Sequence, residues 1–282
     1  MGECLYCAQS RSSVLPKKFL SRITWYPVDL GVVAEKLYGK DIVKRICIQS
    51  ILKPGFPQEI IGIIEYLRSN NIDLPISVSI NPIHESIVEK LYSLGVDYLG
   101  VGLDTATPYL FRKYRKPSTW SVYWRFFVKT LEIMGYRKVY VHLIVGLGEK
   151  PEELYRVMAR IVEEGGDIAL FPYTGLASKG FNPIVDLGYY RSAQIVRYFL
   201  LQGYSLKEII DNGRVRADLL EEIIEHIDKY SGIFYTSGCP YCNRPYYTEN
   251  PRGPFYNIFD HKHYRVYRDK LIQELKSMVG RG

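Results

Sequence analysis

The chain has 282 residues, of which 47% are hydrophobic, and a formal net charge of +7. This length can bury the core of one large α/β domain. The sequence has no apolar run near the roughly 18 residues of a membrane helix and no signal-peptide pattern, which predicts a soluble, cytoplasmic protein that does not bind membranes. Its Lys and Arg residues are spread along the chain, as on an evenly solvated surface. It matches no nucleic-acid-binding module, so the functional alternative is a basic face for an acidic protein partner.

Strand-like and helical patterns alternate along the chain. The strand-like runs cover residues 41–50, 74–80, 96–103, 138–147, 167–173 and 231–237. Helical periodicity occurs at 57–70, 83–94, 118–136, 151–164, 186–202 and 217–229. This alternation predicts βαβ units and a parallel sheet. The number of units favours a (β/α) TIM-type barrel over an open nucleotide-binding sheet, because no GxGxxG follows any strand.

The alternation stops near residue 236, which divides the chain into two predicted regions. Residues 1–236 are predicted to form the barrel. Residues 237–282 begin with the segment "SGCPYCNRPYYTENPRGPFYNIF" and are predicted to end in a helix near 263–278.

The five cysteines are clustered rather than spread, at Cys4, Cys7, Cys47, Cys239 and Cys242. An odd number of cysteines in a chain without export signals argues against a disulfide framework. Two CxxC pairs at opposite ends of the chain suggest metal binding. Zinc sites and redox dithiols use the same spacing, so one CxxC pair by itself decides little.

Functional groups in barrels of this type lie on the loops that follow the strands. Asp104 in "VGLDTATPYLF" comes just after a strand, where a carboxylate can bind ribose hydroxyls. Gly146 and Gly148 in "HLIVGLGEKPEEL" would let a ligand approach the backbone closely. Each feature has a plainer interpretation, since Asp104 could cap the next turn and glycines often end barrel strands.

The stretches "ECLYCAQS", "RICIQS", "LGVDYLGVGLDTA" and "IVGLGEKPEE" together resemble radical S-adenosylmethionine (SAM) enzymes of the biotin synthase and lipoyl synthase group. The resemblance runs from Cys4 to about Tyr235. It implies a CxxxCxxC loop whose three thiolates bind a 4Fe–4S cluster, with the open iron chelating SAM.

The resemblance also assigns SAM contacts to residues of this chain. It implies Gln49 and Ser50 at the methionyl amino group and Asp104 at the ribose. For adenine it implies Tyr6 with the backbone of Val145 and Gly146. Arg115 is a further candidate, for the methionyl carboxylate.

A CxxxCxxC motif that ends in Cys4 and Cys7 has its first cysteine immediately before Met1. The first barrel strand should precede the same loop. We therefore expect that the chain as given begins at an internal methionine and lacks that cysteine and that strand. The alternative is a degenerate site that has lost its cluster, and the codon directly upstream of Met1 distinguishes the two.

The resemblance extends to a second cluster. Cys47 matches an auxiliary-cluster cysteine of biotin synthase, but Ser77 and Tyr140 occupy the other two ligand positions, so that cluster cannot form. A different iron–sulfur cluster could use Cys239 and Cys242 together with Cys47. The alternatives are an inert Cys47, a zinc or structural CxxC, and ligands from a partner chain.

The segments "GCPYCNRP" and "RGPFYN" resemble the archaeal two-subunit lipoyl synthases. This resemblance implies sulfur insertion into an octanoyl chain on a carrier protein, either a lipoyl domain or H protein. It further implies a paralogous radical SAM subunit and an electron donor such as ferredoxin. Two alternatives remain, a different biotin synthase-like radical SAM enzyme acting on a small molecule and a non-catalytic partner of an active paralogue.

Overall fold

A computed structural model describes residues 2–20, 24–40, 43–175, 185–244 and 247–279. The first half of the fold alternates strands with helices: α1 (Leu30–Leu37), β1 (Ile46–Gln49), α2 (Phe56–Ser69), β2 (Ile76–Ile80), α3 (Glu85–Ser93), β3 (Val96–Asp104), α4 (Pro108–Lys113), α5 (Trp120–Met134), β4 (Val139–Val145), α6 (Pro151–Glu163) and β5 (Asp167–Pro172). The remainder is mainly helical: α7 (Leu187–Leu201), α8 (Leu206–Ile209), β6 (Ile210–Asp211), β7 (Arg214–Val215), α9 (Ala217–Glu225), a 3₁₀ turn (Ser231–Ile233) and α10 (His261–Val279).

The five long strands form one parallel sheet in the order β1-β2-β3-β4-β5. Successive strands lie side by side because a helical crossover returns the chain to the same end of the sheet each time. The short strands β6 and β7 form a separate antiparallel ribbon. The predicted α/β class and parallel sheet are confirmed, and the predicted terminal helix is α10.

One predicted strand, at 231–237, was wrong. This segment begins with the 3₁₀ turn, and Tyr235 makes a single parallel bridge to Ile258 instead of joining the sheet. Ile233 and Phe234 are buried in the core. A short apolar run has the same appearance in a buried turn as in a strand, so only its tertiary contacts distinguish the two. The first two residues of the predicted strand at 41–50 lie outside the described residues.

The two faces of the sheet differ in chemistry because successive side chains point to opposite faces. Val78, Val101, Leu143 and Leu170 are among the fully buried apolar residues of the core. The alternate residues are more polar and line cavities, and we call their side of the sheet the inner face. Its members are Cys47, Gln49, Ser77, Ser79, Tyr98, Gly100, Tyr140, His142, Ala169 and Phe171.

The segment after residue 236 packs back onto the rest of the protein. The guanidinium of Arg191 in α7 is completely buried and donates to the backbone carbonyls of Phe255 and Tyr256. It also pairs with Glu274 of α10 at 3.0 Å. A buried arginine with all its partners in place holds this segment against α7. None of the described helices is long and apolar enough to cross a bilayer.

Candidate radical SAM site

A cavity of about 290 Å³ lies at the carboxyl end of the sheet, and we call it the upper cavity. Its walls come from the loop that carries Cys4 and Cys7, from the ends of β1 to β4 and from the C-terminal segment. The lining residues that matter below are Cys4, Tyr6, Cys7, Gln49, Ser50, Asp104, Lys116, His142 and Tyr247.

The cysteine loop is held by its own turns. The backbone N–H of Cys7 donates to the carbonyl of Cys4 at 2.9 Å, and the N–H of Gln9 donates to Sγ of Cys7 at 3.4 Å. The N–H of Leu5 donates to the carbonyl of Tyr114, which attaches the loop to the segment after β3. Burial raises the pKa of both thiols. A backbone donor on a cysteine sulfur suits a thiolate ligand, because it stabilises the charged form.

Asp104 ends β3 in a left-handed conformation, with φ of 67°. Its Oδ2 accepts hydrogen bonds from Nζ of Lys116 at 2.7 Å and from the hydroxyl of Tyr6 at 2.5 Å. Burial would raise the pKa of Asp104, but the Lys116 ammonium and these hydrogen bonds outweigh it, and the pKa is lowered. Both described hydrogen bonds fall on Oδ2, so Oδ1 is the oxygen available to a ligand such as a ribose.

Other residues assigned to SAM by the resemblance lie at different places relative to the upper cavity. Gln49 and Ser50 line it, and the hydroxyl of Tyr247 donates to Oε1 of Gln49 at 3.3 Å. Arg115 is exposed and is not part of the lining. The cation that enters the cavity is the next residue, Lys116, whose side chain is only 4% exposed.

The resemblance assigns the backbone of Val145 and Gly146 to adenine, and in the structure these backbone groups form hydrogen bonds within the protein. The carbonyl of Val145 accepts from the N–H of Tyr173 at 2.9 Å, and the N–H of Gly146 donates to Oε1 of Glu149 at 2.6 Å. Gly146 has φ of 97°, and a Cβ there would come within 2.6 Å of Val185. These residues shape the turn after β4. Neither Val145 nor Gly146 lines the upper cavity, so their contact with adenine stays a prediction.

A second, smaller cavity of about 40 Å³ lies against the inner face, and we call it the thiol cavity. Cys47, Cys239 and Cys242 all line it. The turn between the last two is closed by the N–H of Cys242 donating to the carbonyl of Cys239 at 3.0 Å. Ser77, the register partner of Cys47, also lines it, as does Tyr140.

The three thiols interact with one another. Hydrogen bonding with Cys242, Cys47 and Ser77, together with the charge of Arg45, lowers the pKa of the Cys239 thiol. Hydrogen bonding with Cys239 raises the pKa of Cys47 and of Cys242.

In the described part of the chain, no three or more His, Cys, Asp or Glu side chains surround a point suited to a single metal ion. An iron–sulfur cluster has a different requirement, since inorganic sulfide occupies its centre and thiolates bind at separate corners. Three neighbouring thiols and an orphaned buried donor, Nε of Arg244, fit such a group.

Arg45 holds the CxxC turn against the sheet. Its guanidinium is 7% exposed and pairs with Asp97, with 2.7 Å between Nη2 and Oδ2. The same guanidinium donates to the hydroxyl of Ser77 at 3.0 Å and to the carbonyl of Pro240 at 3.1 Å. The residue just before β1 thus holds the turn that presents Cys239 and Cys242.

His142 and Gln49 line both cavities and therefore mark where they meet. Burial lowers the pKa of His142 to about 4, so its imidazole is neutral near pH 7. The imidazole of His142 packs directly against the backbone of Gly100. A Cβ at Gly100 would lie 2.7 Å from Nε2 of His142, so a larger residue would clash there.

Sequence reasoning missed several residues of these cavities. A signal existed for His142, the polar residue at an inward position of the apolar run "KVYVHLIVGL". No comparable pattern marks Lys116, Arg45 or Arg244, whose roles depend on contacts between distant segments.

The sequence model of the radical SAM superfamily matches residues 1–161, more than half of the chain. The chain belongs to the radical SAM superfamily. This is a family of enzymes whose cofactors are a 4Fe–4S cluster and SAM, and the Cys4–Cys7 loop facing the upper cavity is where this radical SAM protein would hold them. No curated protein matches the chain significantly in sequence.

Solved structures support the same fold. Methylornithine synthase (PylB) is similar with a TM-score of 0.54 and 14% identity, over 72% of this chain and 59% of that protein. HydG from Carboxydothermus hydrogenoformans, an FeFe-hydrogenase maturase, has a TM-score of 0.51 and 15% identity, over 99% of this chain and 74% of HydG. In another HydG structure the match covers 47% of that chain. At these identities the likeness concerns the fold alone.

Proposed function

We propose that this radical SAM protein inserts sulfur into an octanoyl chain attached to a carrier protein, as one subunit of a split lipoyl synthase. The observation that carries the proposal is the meeting of Cys47, Cys239 and Cys242 in the thiol cavity. This cavity adjoins the upper cavity at Gln49 and His142. A carbon placed between these two residues would border both cavities, as sulfur insertion requires.

The residues divide the chemistry between them. When bound, a reduced 4Fe–4S cluster with SAM supplies a hydrogen-abstracting 5′-deoxyadenosyl radical, and a second cluster supplies sulfide. Cys4 and Cys7 would hold the first cluster, and Cys47, Cys239 and Cys242 the second. Asp104 and Gln49 would orient SAM. The protein's own contribution is to position the reactants and to exclude water.

Iron and sulfide counting tests the second cluster. The full-length protein, reconstituted without oxygen, should hold about eight irons, and its Cys239→Ala/Cys242→Ala variant about four. A Cys47→Ser variant reports separately on the third thiol, and we expect fewer than eight irons. Four irons in the wild type as well as in the double variant would remove the sulfur-donor role.

The rim of the upper cavity supports an acidic carrier as the partner. Four exposed cations lie beside its lining: Arg11 follows Ser10, Lys17 donates to the carbonyl of Ser10, Lys53 follows Leu52, and Arg115 precedes Lys116. Two acidic residues lie nearby, since Glu3 is 3.8 Å from Arg11 and Glu59 pairs with Lys53 at 2.8 Å. An excess of cations at this mouth would attract an acidic lipoyl domain or H protein. This attraction would weaken as the salt concentration rises.

Product analysis tests the reaction and the paralogous subunit. An octanoyl-lysine peptide is incubated with SAM, reduced ferredoxin or another low-potential donor, and the protein, with and without its paralogue. Each sulfur inserted consumes a sulfur-donating cluster, and the described thiols can hold one such cluster. We therefore expect a singly thiolated product from this chain alone and a dithiolated product from the pair.

Two other outcomes would redirect the proposal. Full lipoyl product from this chain alone would contradict the division of labour between two subunits. SAM cleavage without sulfur transfer would favour a radical SAM reaction on a small molecule, whereas no SAM cleavage would favour a non-catalytic partner.

A further inference from the structure

Arg244 lines the thiol cavity, and its guanidinium contacts an aromatic ring and a backbone carbonyl. Its guanidinium carbon lies 3.8 Å from the ring centroid of Phe171 on the inner face. Nη2 donates to the carbonyl of Ser237 at 2.8 Å. The residue adopts a left-handed backbone conformation, with φ of 38°. These contacts fix the guanidinium plane over the sheet, and arginine retains its positive charge there.

The Nε–H of this guanidinium is a buried donor without a hydrogen-bond acceptor among the described residues. A buried donor left unpaired costs free energy, and buried polar groups are usually paired with an acceptor. Arg244 lines the thiol cavity together with Cys239 and Cys242 and lies close enough to Cys242 to influence its thiol. A neutral thiol is a weak acceptor, whereas a thiolate or a sulfide is a strong one.

We propose that Arg244 is a positioning residue for the second cluster and that its Nε–H donates a hydrogen bond to a cluster sulfur, either the Cys242 thiolate or an inorganic sulfide. This inference rests on the proposed function, because it requires a cluster in the thiol cavity. A cationic donor beside a cluster stabilises its more negative, reduced form and raises its reduction potential. Arg244 thus favours electron acceptance at the second site.

The conservative variants Arg244→Lys and Arg244→Gln test this role. Lysine keeps the charge but cannot place a planar donor at the same point, and glutamine keeps hydrogen-bonding capacity without the charge. The full chain is reconstituted with iron and sulfide, and EPR-monitored titrations give the potentials of both clusters. Arg216→Lys is the matched control, since Arg216 is an exposed arginine that pairs with Asp218 away from both cavities.

We expect both Arg244 variants to lower the potential of the second cluster, with the larger decrease in Arg244→Gln. The potential of the cluster at Cys4 and Cys7 and that of the control should match the wild type. Unchanged second-cluster potentials in both variants, at full iron content, would overturn the role of Arg244 while leaving the proposed function intact. Loss of the second cluster from both variants would also overturn it, in favour of a purely structural role. Only four irons in the wild type would instead remove the proposed function itself.

Discussion

Lys116 and Asp104 form a buried ion pair at the wall of the upper cavity, with 2.7 Å between Nζ and Oδ2. The Lys116 side chain is 4% exposed and that of Asp104 is 16% exposed. Lys116 also donates to the carbonyl of Gly102 at 2.7 Å. The carboxylate assigned to the ribose of SAM thus also neutralises a cation, and a substitution at Asp104 affects both interactions.

The first prediction separates these two effects. Asp104→Ala should weaken SAM binding about ten- to a hundredfold, because it removes a charged acceptor worth about 1.5–3 kcal/mol. It should also destabilise the fold by about 3–5 kcal/mol, since Lys116 remains buried without its partner. The Asp104→Asn/Lys116→Met variant should recover most of the stability but not the affinity. Calorimetric titration measures the SAM affinity, and urea unfolding measures the stability. Wild-type SAM affinity in the double variant would show that Asp104 has only a structural role.

The second prediction concerns acid stability. The pKa of Asp104 is lowered from 3.8 in the folded state, so below pH 4 the unfolded chain binds more protons at this residue than the folded chain does. The contribution of Asp104 to stability is therefore complete above about pH 5 and decreases as pH falls through its folded pKa. In urea unfolding between about pH 2 and 6, the Asp104→Asn/Lys116→Met variant should lose less stability than the wild type. If the unfolding free energy of both proteins depended on pH in the same way, the lowered pKa of Asp104 would not be the source of this stability.

The third prediction concerns Arg45. Arg45→Met removes the contacts to Asp97, Ser77 and the carbonyl of Pro240, so the CxxC turn loses its attachment to β1. Because Asp97 is partly exposed and can be hydrated, we expect a loss of only about 1–3 kcal/mol in unfolding free energy. Iron content should decrease at the thiol cavity and not at the Cys4–Cys7 loop. Arg268→Met, which removes an exposed arginine paired with Asp228, is the control. Full second-cluster occupancy in the Arg45 variant would show that the turn is positioned without it.

The fourth prediction concerns His142, which lines both cavities. His142→Ala enlarges the junction, so a substrate carbon would be held less firmly between the radical source and the sulfur donor. The ratio of 5′-deoxyadenosine to thiolated product should rise several-fold, while SAM affinity changes little. His142→Asn is the matched variant that keeps a polar side chain at this position. A ratio equal to the wild-type value in both variants would exclude a positioning role for His142.

The sequence by itself determined the class of fold. The alternation of helical and strand periods predicted βαβ units and a parallel sheet, because these periods follow from local backbone geometry. The same periodicity failed at 231–237, where burial of Ile233 and Phe234 in a turn produces a strand-like pattern. Adjacent positions were also not distinguished, since the family resemblance offered Arg115 as a candidate, whereas Lys116 is the residue that lines the upper cavity.

Tertiary structure alone decided which distant residues share a site. Cys47 belongs to β1 and Cys239 to a turn near the other end of the chain, yet both line the thiol cavity. The buried contacts of Arg45 and Arg191 place the C-terminal segment against the sheet and α7. Such contacts join segments widely separated along the chain, so their geometry depends on packing and on satisfying buried polar groups, which no local sequence period encodes.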